Sequence, residues 1–165
     1  MAGPVGWESF AVMTGGASGA LTGLLFVAVS LNAERIARHP GLRAIAAQTL
    51  VLFLAPLITA TVLLAPRQPD RVLGAELVAA GLIGGLSLLA IGRRRGGRTA
   101  DERLTGLFDR RDTGIVVMLL FVAGGAIVAS GMSAGLYVLL PASLVAFVSG
   151  VLSAWNFLLP PPDML

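Results

Sequence analysis

Gly16-Ala-Ser-Gly19 sets a serine among small residues inside an apolar stretch, an arrangement compatible with an activated hydroxyl nucleophile. The chain has one histidine to serve as its base, His39, twenty-one positions later. A Ser–His pair works only when the imidazole comes within hydrogen-bond reach of the hydroxyl. On one continuous helix the two would stand about 30 Å apart at 1.5 Å per residue. Ser18 therefore reads as a packing residue and His39 as a solvated loop residue. With no cysteine and a single histidine, the chain lacks a thiol nucleophile, a disulfide, and the ligands for a zinc or haem site within one copy. No phosphate loop or dinucleotide fingerprint follows a plausible strand. The acidic residues are not spaced to form a carboxylate pair or metal cage. The expectation is a protein that is not an enzyme and carries no cofactor.

Ion-coupled transport usually needs an ionisable group within the bilayer, where burying charge is expensive. The middle of every hydrophobic run here is neutral, and Glu34 and Glu76 are the nearest acids, each within about a turn of an interface. Asn32, Glu34 and Arg35 could form an interfacial polar cluster with Gln48, with helix-end anchoring as the plainer role. Glu76 could pair with Arg71 in the same anchoring sense.

The elements that carry these residues are set by composition. Apolar residues make up 56% of the 165, charged residues 13%, and mean hydropathy is +0.86. Soluble domains carry about 25% charged residues, and the apolar runs here are near the length needed to cross a bilayer. The fold expected is an all-α integral membrane bundle, one domain over 1–165, with five transmembrane helices at about 11–33, 44–66, 72–92, 114–131 and 136–159. Pro40 ends any continuation of the first helix, and Pro56 predicts a kink in the second. All twelve basic residues are arginine, which with the abundant Ala and Gly reads as the codon bias of a GC-rich bacterial genome.

Gly15, Gly19 and Gly23 recur every fourth residue in the first run, giving a flat face on which another helix can lie backbone to backbone. This makes the first span the expected packing centre. Gly81 with Gly85, and Ala146 with Gly150 and Ala154, repeat the device. Along the first helix, Glu8, Gly15, Gly19, Thr22, Phe26 and Ser30 fall near one line. Copies around an axis would give a carboxylate ring, a narrow throat and a phenylalanine constriction, which are elements of channels. The alternative, which we favour, is that the line is a contact surface for self-association.

The connector 93–112 holds seven arginines. Within it Thr99-Ala-Asp-Glu102 has capping-box spacing, and Leu104, Leu107 and Phe108 share one side of a short helix. It reads as an interfacial helix, with Arg93, Arg94, Arg95 and Arg98 at anionic lipid headgroups, or as a solvated loop. The first connector holds three arginines and the second two. Basic connectors lie in the cytoplasm, so the N-terminus is expected outside and the C-terminus inside.

The stretch GGASGALTGLLFVAVSLNAERI, preceded by WESF, resembles small multi-spanning membrane proteins of actinobacteria, some labelled modulators of the FtsH protease. That resemblance covers the first forty residues and implies a bacterial plasma (inner) membrane location, with no catalytic or ligand residues. The letters GASG are also similar to the GxSG of rhomboid proteases, whose histidine partner has no counterpart within reach. The functional expectation is an accessory or regulatory component of a larger membrane assembly, self-associating as a homo-oligomer, with lipid and no nucleic acid as further partners. The alternative is a homo-oligomeric channel for ions or small solutes.

Overall fold

The computed structural model describes residues 6–93 and 110–158, and every regular element among them is a helix. The capping-box segment 99–108 and Arg94, Arg95 and Arg98 lie outside the described residues. Five long helices and one short one follow in order: α1 (Glu8–Leu31), α2 (Ala33–Arg38), α3 (Pro40–Leu64), α4 (Asp70–Arg93), α5 (Arg110–Ala129) and α6 (Ala134–Leu158). Four of them, α1, α3, α4 and α6, are long and apolar enough to cross a membrane. In α5 the apolar part is shorter, Thr113–Ala129, about 26 Å at helical rise and near the lower limit for a span.

The breaks between helices have local causes. Asn32 leaves helical geometry at φ −111°, and its side-chain amide donates at 2.9 Å to the Ala28 carbonyl, which also accepts from the Asn32 backbone amide at the end of α1. The polar stretch after it winds one more short helix, α2, where a plain connector was expected. Pro40 then opens α3 at its first position, where its fixed φ suits the helix and its missing amide costs nothing. That is why α3 starts four residues earlier than the hydropathy pattern suggests. Between α3 and α4 the chain turns through Arg67 in the left-handed region, φ 57°. Pro69 accepts from the amides of Val72 and Leu73 at 2.9 and 3.0 Å to start α4. α5 ends in a Schellman motif: Gly131 at φ 87° donates to Val128, and Met132 donates to Ile127.

Contacts along the helices set their directions. Gly15 faces Ala60 while Ser18 reaches Phe53, so α1 and α3 run antiparallel. Gly74 lies against Ala129, Gly81 against Val122 and Gly114 against Leu88, so α4 and α5 do too. Gly124 meets Leu139 and Gly135 meets Val128 across α5 and α6. Trp7 stacks edge-on to Tyr137 at 5.1 Å, which puts the starts of α1 and α6 at the same end. Each long helix thus runs opposite to the one before it.

α3 touches every other helix, and α4 packs most extensively on α5. The centre of the bundle is filled by Phe53, Leu77, Val117, Met118, Phe121 and Leu139, all fully buried. The closest backbone approaches fall between α4, α5 and α6. A Cβ on Gly74 would come within 2.5 Å of the Gly125 carbonyl oxygen, and one on Gly125 within 2.8 Å of the Val78 amide nitrogen. This corrects the expectation that the first span is the packing centre. Only 17% of the apolar window of α1 is buried, against 50% for α3. In lipid, helices gain by close van der Waals packing rather than by hiding apolar surface, and within one chain the glycines of α4, α5 and α6 make those approaches.

Candidate functional site

The buried side of α1 is built from Ala11, Thr14, Ser18 and Leu25. Ser18 Oγ donates to the Phe53 carbonyl of α3. Pro56 lacks the amide that would otherwise serve the neighbouring Leu52 carbonyl, so Ser18 adds a donor beside the gap in the α3 ladder. Phe53 continues to α6, where a Cβ on Gly150 would stand 2.9 Å from its Cδ1. One serine, one aromatic ring and one glycine therefore join α1, α3 and α6. Ser18 is fully buried, while His39 is exposed past the far end of α1, its Nδ1 placed to donate to the Arg35 carbonyl at 2.9 Å. The structure does not bring the two together.

The opposite side of α1 is uncovered. Gly16, Gly19 and Gly23 are exposed, and a Cβ on any of them would meet nothing within 4 Å. Only Gly15 is turned inward, where a Cβ would lie 3.2 Å from that of Ala60. Of the line of residues considered for a pore, Glu8, Gly19, Phe26 and Ser30 are exposed, with Phe26 at 58%. Thr22 is half-buried. Its Oγ1 is buried without a hydrogen-bond partner, whereas Ser30, Thr49, Thr61, Ser87 and Ser143 return their hydroxyls to the carbonyl four residues back. The line does not enclose a passage within one chain.

The other small-residue pairs lie at contacts. Gly81 meets Val122, Gly85 is 3.6 Å from Met118 by its would-be Cβ, Ala146 is fully buried, and Ala154 is half-buried. Sequence reasoning missed Gly74 and Gly135, whose signal is weak because neither has a glycine four residues away on its own helix.

Of the polar cluster expected from Asn32, Glu34, Arg35 and Gln48, the first three line one cleft at the α1–α2 elbow. Asn32 serves the end of α1. Glu34, 92% exposed, pairs with Arg38 at 3.8 Å one helical turn on, not with Arg35. Gln48 is buried in α3 more than two turns beyond its start. Glu76 also takes a different partner: its Oε2 accepts from Gln68 Nε2 at 2.9 Å. The left-handed residue at Arg67 folds the turn back over the start of α4, which delivers Gln68 where i,i+5 spacing along the helix had suggested Arg71. Arg93 is exposed at the end of α4.

A cleft of about 630 Å³ opens at the α1–α2 elbow, lined by residues 30–35 with Arg38 and His39. Among the described residues no three His, Cys, Asp or Glu side chains converge to hold a metal ion. No protein family, no curated protein and no solved structure matches the chain.

Proposed function

We propose that the protein is an accessory or regulatory subunit of a bacterial plasma-membrane assembly, and that it self-associates through the outer face of α1. The observation that carries this reading is the contrast between glycines. Gly74, Gly81, Gly124, Gly125 and Gly135 of α4, α5 and α6 lie against neighbouring backbone, while Gly16, Gly19 and Gly23 present the same flat surface with nothing on it. Backbone-to-backbone packing is the use such a face has in lipid.

In this reading all five long helices cross the bilayer and α5 is the shortest span. The elbow end of the bundle carries Arg35, Arg38, Arg43 and Arg93, and the other end Arg67 and Arg71. The positive-inside bias places the elbow end in the cytoplasm, the start of α1 outside and the end of α6 inside. Because the chain has no native cysteine, single cysteines test the face directly. Gly16→Cys and Ala20→Cys should form disulfide-linked dimers on mild oxidation in native membranes, and Leu86→Cys on the exposed side of α4 should not. Equal cross-linking at all three positions, or none at the α1 positions, counts against the reading.

A second reading draws on the exposure of Glu8, Phe26 and Ser30 along that same face. Copies arranged around an axis would then surround a pore narrowed by Phe26. Flux through protein in liposomes, raised by Phe26→Ala, separates it from the first.

A further inference from the structure

At the α1–α2 elbow a basic cluster meets an uncovered apolar track. Arg35 and Arg38 stand at i and i+3 on α2, so they share one face, and both line the 630 Å³ cleft together with His39, the residue that follows the helix. The cleft's one acid, Glu34, is 92% exposed and held only by an exposed ion pair with Arg38, a contact that water and salt screen. Leu31 lines the same cleft and is 81% exposed. Leu24 and Val27, at 66% and 56%, continue its line down α1 at helical spacing, on the elbow half of the helix beyond the contact proposed for Gly16, Gly19 and Gly23.

We propose that this elbow binds one anionic phospholipid, its phosphate held by Arg35, Arg38 and His39 and one acyl chain laid along Leu31, Val27 and Leu24. A free phosphate would use the three basic side chains and leave the apolar track bare. A zwitterionic lipid would use the track and gain less from the charges. An anionic lipid engages both halves. The inference rests on the proposal that α1 crosses the bilayer with its elbow end at the cytoplasmic leaflet, where anionic lipids and juxtamembrane arginines meet.

The test uses the full chain purified in detergent, with native mass measurement of lipid retained on titration. The probes are phosphatidylglycerol, phosphatidylcholine with the same acyl chains, and inorganic phosphate. Phosphatidylglycerol should be retained as a single preferred adduct. Each arginine removed by Arg35→Gln or Arg38→Gln should weaken binding roughly fivefold, and Leu31→Ser should weaken it as well. Glu34→Gln should strengthen it, which gives a readout independent of how the arginine variants fold. The pair Arg67→Gln and Arg71→Gln, at the opposite end, should bind like the wild type.

Equal retention of phosphatidylcholine, or equal loss from the Arg67 and Arg71 variants, overturns the site. Displacement of the lipid by an equal concentration of inorganic phosphate overturns the choice of lipid over free anion. Flotation with vesicles of either lipid separates the two levels of the argument. Protein that floats with both vesicle types yet shows no adduct preference leaves the membrane reading standing and removes this site. Protein that floats with neither removes both.

Discussion

Ser18 shows what a buried hydroxyl does when no base is near it. Its bond to the Phe53 carbonyl ties α1 to α3 beside Pro56. Ser18→Ala should therefore lower thermal stability in detergent by about 0.6–2 kcal/mol, the range for interhelical bonds in membranes, and leave the fold intact. A melt identical to wild type would show that the bond carries no net weight. The glycines divide at the same scale. Gly74→Ala drives a methyl into the backbone of Gly125 and Ala129, so it should cost about 1–3 kcal/mol by overpacking. The same substitution at Gly23 meets open space and should leave the melting of the isolated chain unchanged or slightly raised, since alanine favours helix over glycine. The spacing of glycines was readable from the sequence, but their occupancy was not. In a soluble helix the polar side marks the outside, whereas both sides of α1 are small or apolar, so periodicity could not choose between them.

The helices themselves were far more legible than their contacts. Long apolar runs and well-placed prolines gave each long helix to within a few residues, because length and hydropathy are what a bilayer demands of a span. The joints escaped because they depend on single backbone conformations. Nothing in the spacing of Arg71 and Glu76 announces that Arg67 adopts φ 57° and turns Gln68 toward the carboxylate. Asn32 likewise divides one expected helix end into the α1 cap and the start of α2. Two joints can be tested as elements. Gly131→Ala puts a side chain at φ 87° and should destabilise the α5–α6 link by about 1–2 kcal/mol. Glu76→Ala removes the acceptor for Gln68, so backbone amides of the α3–α4 turn should exchange hydrogen faster in the variant. Unchanged exchange there would mean that the clasp does not hold the turn.

Taken whole, the molecule separates two uses of the same packing chemistry. Its interior is closed by α3, α4, α5 and α6, with glycine at the tightest approaches, and α1 is attached along one side by Ala11, Thr14, Ser18 and Leu25. The other side of α1, with Gly16, Gly19 and Gly23, is left uncovered in the single chain. Charge follows the long axis: the elbow end is rich in arginine and the opposite end carries Glu8, Asp70 and Glu76 with two arginines. A single cysteine in 131–135 should accordingly react with impermeant reagent in intact cells, while one in 97–106 should be shielded. The reverse pattern would invert the proposed orientation. The division between a closed interior and an open α1 face is the central claim, and native mass in lipid-like detergent tests it most directly. Wild type should run as an oligomer, and Gly19→Leu should run as a folded monomer whose unfolding matches that of the wild-type chain. A Gly19→Leu protein that keeps the wild-type mass would contradict the claim.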